Sequence, residues 1–413
     1  MGFEDATTRR AFVRGGGRLA LTAALGGVGA NLLAGCGSDS GEAGATGATG
    51  AATTAATALK LGFAIGESGL MQPFDVSAMN MARLAIGDGP SDPAFSTTVS
   101  DTKSKVANAA RAAVDVLSAG ADVVVATSDY DLGAPIGLTC QQRGVLAMSP
   151  SAATTKWGPT GIGDVAFTMS NCAPAQAACV AQWAFEQMRW RSCYVLWDTS
   201  IAYQTDFKAA FEQEWTKRAG RAGIVGIDTF SANDASIATQ VSTIGRLASP
   251  PDFIMLICYP PPAATALRQL RSGGVGVPVV GGISMGGDYW LKTVPNLSDF
   301  YNPAYASLWG DDPNPRVNQL VEAYKTKYGE VPLVSDAFLG YAMVEVLRAA
   351  ALKAKSGDSK ALVAAMPTLS DVDTIVGKTS FTAEQHYPAT RPMIIEGVQG
   401  GRRTFVATVA PES

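Results

Sequence analysis

The chain has 413 residues, of which 47% are apolar and 16% charged, and its formal net charge is −4. An apolar fraction this high excludes a mainly disordered chain, and the length predicts two domains or lobes. A mildly acidic chain without a basic run lacks the electrostatic attraction on which nucleic-acid binding depends. His386 is the single histidine, which excludes multi-histidine metal sites. We therefore expect no metal, no cofactor and no nucleic-acid partner.

Residues 1–36 predict an export signal. A twin arginine, Arg9-Arg10, precedes an uncharged apolar segment at 19–35, which is shorter than the roughly 20 residues of a membrane span. The segment ends in Leu-Ala-Gly-Cys36, which resembles the lipobox of bacterial lipoproteins, whose cysteine receives a lipid. A chance match after an ordinary signal is the alternative. We expect twin-arginine export of the folded protein and a lipid anchor at Cys36 on the outer face of the cell membrane.

Residues 37–58 predict a flexible linker, because they are mostly Gly, Ala, Thr and Ser with no aromatic residue. Downstream, the uncharged run at 253–267 contains three prolines, which makes it unsuitable as a membrane span. Folded protein is therefore expected from residue 59 onward.

From Leu59, short apolar runs alternate with amphipathic segments, which predicts strands alternating with helices. The first series has strands at 60–65, 122–126 and 145–148 and helices at 103–119 and 133–143. The second has helices at 173–187, 202–218, 234–248 and 262–272 and strands at 192–197, 223–230, 253–257 and 277–280. Helices at 315–328 and 335–355 and strands at 392–398 and 404–409 follow. This alternation predicts an α/β fold with two doubly wound, parallel-sheet lobes.

Five cysteines remain after Cys36, namely Cys140, Cys172, Cys179, Cys193 and Cys258. An odd number outside the cytoplasm allows at most two disulfides. A Cys172–Cys179 bridge requires Cys172 to lie in the turn before the helix, because two cysteines seven residues apart on one helix are about 10 Å apart. Buried free thiols are the alternative.

Polar turns follow the predicted strands, at the sheet edge where ligands of parallel α/β folds bind. They supply hydroxyls, small residues and aromatic rings but little that could act as a strong base, which favours holding a small ligand over transforming it. Taken singly, each Ser or Thr is better explained by helix capping than by ligand contact. Core packing explains Tyr203 and Tyr259 as well as ligand contact does. The candidate ligand-binding residues are Ser128, Asp129, Tyr130, Ser151, Ala152, Thr154, Tyr203, Tyr259 and Ser284.

The order of signal, linker and two lobes, together with the segments SPSAATT and WDTSIAYQTDFKAAFEQEW, resembles type I solute-binding proteins of ABC importers. The leucine/isoleucine/valine-binding group is the most similar, over residues 59–409. The resemblance implies that three hinge strands cross between the lobes near 169–173, 303–308 and 387–391. Lobe 1 is then 59–172 with 308–388, and lobe 2 is 173–307 with 389–413. It further implies a monomer that hands its ligand to ABC permease subunits.

The resemblance also implies how the ligand is held. Family members bind the ligand carboxylate with turns that correspond to Ser128–Tyr130 and to the segment from Ser149 through Ala153, with Thr154 in place of the family threonine. Tyr203 and Tyr259 correspond to two tyrosines of the second lobe.

One position departs from the family pattern. Members that bind amino acids place a glutamate against the ligand ammonium where this chain has Ile283. An unpaired buried ammonium costs several kcal/mol, so Asp288, Asp198 or Asp129 would have to replace the glutamate. We therefore expect a carboxylate or amide ligand without an ammonium group, aromatic ones included, and weak binding of leucine, isoleucine and valine.

Two alternatives share parts of this pattern. Residues 282–286 fit G-x-S-x-G after a strand, with Ser284 as nucleophile and His386 downstream, as in α/β hydrolases. However, the nucleophile should lead directly into a helix, whereas here Gly287, Asp288, Tyr289, Trp290 and then Pro295 follow. His386 is expected at the surface. A ligand sensor with the same fold would also close around its ligand, and the sequence does not separate it from a transport protein.

Overall fold

The computed structural model describes residues 58–91 and 93–412, which belong to one compact unit. The predicted signal, Cys36 and the linker up to residue 57 lie outside the described residues. Within the described part of the chain, no helix combines the length and apolar character needed to cross a membrane.

The first sheet is parallel throughout, with strand order β2-β1-β3-β4-β5. Its central strands β1 and β3 carry buried apolar side chains on both faces, such as Val124 and Val125 of β3, because helices cover both sides of a parallel sheet. The edge strands β2 and β5 were not predicted. The bounds are β1 (Ala58–Ile65), β2 (Ala94–Asp101), β3 (Val123–Ala126), β4 (Leu146–Ser149) and β5 (Ala166–Thr168).

Three helices connect these strands: α1 (Gln72–Asp88), α2 (Val106–Ser118) and α3 (Tyr130–Arg143). Helix α1 was not predicted. Helix α2 begins three residues later than predicted, because Lys103 and Ser104 adopt positive φ angles of 55° and 52°, which a right-handed helix does not accept. Helix α3 begins earlier than predicted, because the Asp129 carboxylate accepts the backbone N–H of Leu132 at 2.9 Å and caps the helix.

The second sheet has the order β12-β11-β10-β9-β8-β6-β7. The five strands from β10 to β7 are parallel to their neighbours, whereas β11 is antiparallel to both β10 and β12. The α/β fold with two sheets as two lobes is thereby confirmed, with an antiparallel edge added to the second sheet. Its strands are β6 (Cys193–Asp198), β7 (Ile224–Phe230), β8 (Phe253–Ile257), β9 (Val279–Gly281), β10 (Phe300–Ala304), β11 (Met393–Gln399) and β12 (Arg402–Val409).

Helices α4 (Ala173–Glu186), α5 (Ala202–Ala219), α6 (Ala238–Gly245) and α7 (Pro262–Ser272) accompany the second sheet. The bounds of α7 are those predicted. Helix α6 is shorter than predicted, because Asp234 accepts the backbone N–H of Ser231 at 2.7 Å and holds the preceding residues in a turn.

The chain passes three times between the two sheets: from β5 into α4, from β10 into α8 (Pro315–Tyr328), and from α10 (Ser359–Ala365) into β11. The segments predicted as crossings overlap these three connections. Between α8 and α10, helix α9 (Ala337–Ala354) packs against α1. Gly340 makes that contact so close that an added Cβ would lie 1.9 Å from the Ala78 carbonyl oxygen.

The buried guanidinium of Arg391 joins the three crossings. Its Nε donates to Asn171 Oδ1 at 3.0 Å, and its Nη2 donates to the Met169 carbonyl. In return, Asn171 Nδ2 donates to the Arg391 carbonyl at 2.6 Å. The guanidinium also lies over the Tyr305 ring, 5.4 Å from its centroid. Burial lowers the pKa of Arg391 to about 10, so the group stays charged at neutral pH.

The five described cysteines are all free and buried. Cys172 does lie in the turn before α4, where a bridge to Cys179 would require it, yet the two thiols are not bonded. Burial raises the pKa of the Cys140 and Cys179 thiols to about 12, which makes them unreactive at neutral pH.

Candidate ligand-binding site

A cavity lies between the two sheets. Its walls come from turns at the carboxyl ends of β3 and β4 in the first lobe, and from the start of α5 and the ends of β8 and β9 in the second. This is the position at which parallel α/β folds place their ligands. The cavity is lined by Phe74, Ser128, Asp129, Tyr130, Ser151, Ala153, Thr154, Tyr203, Tyr259, Ile283, Ser284 and Asp336.

The structure brings together eight of the nine predicted site residues. The exception is Ala152, whose backbone N–H donates to Ser149 Oγ at 3.0 Å and whose side chain packs in the core of the first lobe. Its neighbour Ala153 lines the cavity instead. Two lining residues, Phe74 and Asp336, were missed, because both lie at helix N-termini rather than after a strand.

Asp75 lies behind the first-lobe wall of the cavity and holds the turn after β3 in place. Its carboxylate accepts hydrogen bonds from the Gly66 N–H at 2.8 Å, the Thr127 hydroxyl at 2.6 Å and the Ser128 N–H at 2.8 Å. Burial raises the pKa of Asp75 to about 6, against the lowering effect of these donors. The arrangement fixes the turn after β3 and places Ser128 in the cavity wall. The buried Ser128 hydroxyl oxygen has no hydrogen-bond partner among the described residues.

Asp336 lies in the cavity wall immediately before α9 and is 2% exposed. The Ser151 hydroxyl donates to its Oδ1. Its Oδ2 is buried and has no partner in the part of the chain that the structure describes. Burial raises the pKa of Asp336 to about 6. This carboxylate is therefore available to a ligand.

The second-lobe wall is aromatic. The Tyr203 hydroxyl donates to Gln176 Oε1 at 2.8 Å, and the Tyr203 ring lies 6.3 Å from that of Tyr259. Across the cavity, Phe74 of the first lobe meets Tyr259 edge to face at 5.9 Å. A Cβ at Gly282 would lie 2.9 Å from the Tyr203 hydroxyl oxygen, so glycine leaves room for this ring.

Contacts across the cleft show that the lobes are closed. Asp131 Oδ2 on α3 accepts the backbone N–H of Ala202, the first residue of α5, at 2.8 Å. The Thr154 hydroxyl donates to Asp206 Oδ2 on α5 at 2.6 Å. The Tyr259 hydroxyl lies 3.5 Å from Asp129 Oδ2. Each contact joins a first-lobe residue to a second-lobe residue.

Of the three acids considered as replacements for the family glutamate, Asp129 alone lines the cavity. Asp288 is exposed and lies outside the lining. Asp198 is buried but engaged elsewhere, since it accepts the backbone N–H groups of Ser200 at 3.1 Å and Ala232 at 3.0 Å. Asp336, which the sequence did not single out, is the second acid in the wall.

The geometry does not assemble a serine hydrolase. Ser284 lies in a short 3-10 turn and donates to the Cys258 carbonyl at 3.1 Å. The expectation that His386 is a surface residue was wrong: it is 3% exposed and stacks on Phe167 at 3.7 Å. Its Nδ1 lies 2.9 Å from the Ala166 carbonyl oxygen, and burial lowers its pKa. Ser284 and His386 share no hydrogen bond within the described residues.

Residues 58–402 match the family of periplasmic binding proteins. The chain belongs to this family. Its members are the substrate-binding proteins of ABC transporters, which bind small molecules outside the cytoplasm and work with the permeases.

Individual relatives of the periplasmic binding protein are distant. The Leu/Ile/Val-binding protein homolog 3 of Brucella melitensis is 24% identical over 275 residues, which cover 66% of this chain and 71% of that protein.

Two examples illustrate the solved structures that share the fold. LivJ from Streptococcus pneumoniae, a substrate-binding protein in complex with isoleucine, has a TM-score of 0.72 and 22% identity over 86% of this chain and 99% of its own. A solute-binding protein from R. palustris in complex with benzoate has a TM-score of 0.71 and 18% identity over 86% and 97%.

Proposed function

We propose that this periplasmic binding protein holds a small organic solute in the cavity between its lobes and releases it to an ABC permease when they open. The observation that carries the proposal is a cavity at the carboxyl ends of the strands, with walls from both lobes. A ligand that contacts both walls stabilises the closed form over the open form by its extra contacts there.

The residues that line the cavity offer both polar and apolar contacts to a ligand. Ser128 offers a hydroxyl without a partner in the described structure, while Tyr203 and Tyr259 supply the second-lobe wall. Two relatives named above bind isoleucine and benzoate, both of which carry a carboxylate on an apolar body. A carboxylate, an amide or an amino-acid-like molecule of similar size is the proposed solute class.

A thermal-shift screen tests this proposal. Residues 59–413, refolded to remove bound solute, are screened against carboxylates, amides and amino acids. A ligand at a hundredfold excess over its Kd stabilises the fold by about 2.7 kcal/mol, which raises the Tm by several degrees. Tyr203→Ala should abolish the shift, and Asp373→Asn, on the exposed surface, should retain it. A shift unchanged in Tyr203→Ala would place the ligand elsewhere.

We also propose that Cys36 carries a lipid anchor and that the protein acts as a monomer. The Leu-Ala-Gly-Cys36 sequence after an apolar segment supports the anchor. Cys36→Ser should move the protein out of the membrane fraction or leave the signal uncleaved, as fractionation and immunoblotting would show. Unchanged membrane association and processing would contradict the anchor. Light scattering of residues 59–413 tests the monomer.

Catalysis is not part of the proposed function. The Ser284 hydroxyl donates a hydrogen bond to the Cys258 carbonyl, and His386 is buried against Phe167. Within the described residues, His386 therefore does not act as a base for Ser284. We expect no turnover of a nitrophenyl ester, and turnover that disappears in Ser284→Ala would contradict this.

A further inference from the structure

The cavity wall contains acidic side chains, and among the described residues that line it there is no basic side chain. Asp129 and Asp336 form part of its wall, and Asp75 lies directly behind it. Within the described residues, the lining contains no Lys, Arg or His. Two buried carboxylates in one small cavity disfavour a ligand that is purely anionic, because like charges in a poorly solvated site repel strongly.

The Asp336 carboxylate is the acid of the cavity wall that most clearly lacks a positively charged partner. One oxygen accepts from Ser151, and the other has no partner in the described structure although the residue is 2% exposed. A buried oxygen of an ionised carboxylate that lacks a donor is costly, and such groups in native proteins call for an explanation. Its position at the N-terminus of α9 favours the ionised form.

We propose that Asp336 binds a positively charged nitrogen of the ligand, so that the cavity selects small amines with an apolar body, zwitterionic amino acids included, over the corresponding acids. This inference rests on the solute capture proposed above and specifies its ligand. The ammonium donates to Asp336 Oδ2, and Phe74, Tyr259 and Ile283 surround the apolar body.

This assignment changes the role of Ser151. The resemblance placed Ser151 among the residues that bind a ligand carboxylate. In the structure its hydroxyl proton is committed to Asp336, so Ser151 positions the Asp336 carboxylate for the ligand nitrogen. The expectation of a ligand without an ammonium group followed from Ile283, but the compensating acid, Asp336, immediately precedes α9 in the other lobe.

The test compares matched ligands that differ by the ammonium group. L-leucine is paired with 4-methylpentanoate and L-phenylalanine with 3-phenylpropanoate, while 3-methylbutylamine and 2-phenylethylamine carry the ammonium without the carboxylate. Calorimetry with residues 59–413 at pH 7.5 measures each affinity. At least one amine-bearing compound should bind, and its acid counterpart should bind at least about thirtyfold more weakly, as expected when a buried charge pair loses one partner.

Asp336→Asn, which keeps the side-chain shape, should reduce the affinity for the amine by a similar factor. The ratio between the affinities for the amine and for the corresponding acid should therefore be smaller in this variant than in the wild type. Asp288→Asn, on the exposed surface, is the matched control and should bind as the wild type does. If Asp336→Asn fails to fold, the comparison of paired ligands in the wild type still tests the inference.

Two results would overturn the inference while leaving solute capture intact: binding only of compounds without a positively charged nitrogen, or an undiminished preference for the amine in folded Asp336→Asn. If no solute of any class binds, the proposed function falls with it.

Discussion

At the scale of single residues, Asp336 represents a compromise between stability and binding. Its pKa rises from 3.8 to about 6 in the folded protein because burial penalises the charge. A carboxyl whose pKa is raised by folding destabilises the native state above that pKa and has no such effect below its unfolded value. The cost therefore develops between pH 4 and pH 6 and is complete at neutral pH.

Asp336→Asn should consequently stabilise the ligand-free protein. A shift of about two pKa units corresponds to roughly 2–3 kcal/mol at pH 7.5, and the gain should shrink toward zero near pH 4. Urea unfolding of residues 59–413 at several pH values measures it. Asp288→Asn should show no comparable gain, and a pH-independent effect of Asp336→Asn would mean that something other than its charge is responsible.

The same residue marks the limit of prediction for the site. Turns after strands could be found because sheet topology gathers them at one edge, and eight predicted residues do line the cavity. Asp336 follows no strand. The sole signal was a lone acid within the apolar stretch Val-Pro-Leu-Val-Ser-Asp-Ala-Phe-Leu, and its approach to Ser151 depends on how α9 packs.

At the scale of elements, the helices and strands that could be predicted were those whose buried residues follow a regular pattern along the sequence. Central strands and helices with one apolar face were found, and the bounds of α7, α8 and β8 agree with the sequence prediction. Helix α1 was missed because nine of its residues are buried, on more than one face, so it lacks a single apolar stripe. The edge strand β2 reads AFSTTVSD and is mostly half-buried, which leaves little apolar alternation to detect.

The contact between α1 and α9 gives a prediction about packing. Gly340→Ala should destabilise the protein by about 1–3 kcal/mol, because the added Cβ meets the Ala78 carbonyl of α1 and the two backbones must move apart. Chemical unfolding of residues 59–413 measures the loss.

Gly87→Ala on α1 is the matched control, since an added Cβ there meets nothing within 4 Å. It should leave stability unchanged or raise it by up to about 1 kcal/mol through helix propensity. Equal effects of the two substitutions on the free energy of unfolding would mean that α1 and α9 can move apart without loss of stability.

At the scale of the whole molecule, closure depends on contacts that exist only when the lobes meet. Asp131 accepts the first N–H of α5 across the cleft, where the positive end of the helix favours a carboxylate. Asp131→Ala should weaken ligand binding by about tenfold, in line with a hydrogen bond to a charged group, and should shift ligand-free protein toward the open form.

Calorimetry and small-angle X-ray scattering would show these two effects. Asp115→Ala, an exposed acid on α2 of the same lobe, should change neither the affinity nor the radius of gyration. An Asp131→Ala protein with wild-type affinity would show that this contact does not contribute to closure.

The threefold passage between the sheets also governs how the chain can fold during synthesis. The first lobe needs α9, which packs on α1 from more than 250 positions downstream, and the second sheet needs β11 and β12, which end at Val409. Neither lobe can form completely until the chain through Val409 has emerged from the ribosome. Distant pairings of this kind slow folding. An exported protein built this way requires either a chaperone that keeps the nascent chain from aggregating or a translocation route that waits for the finished fold.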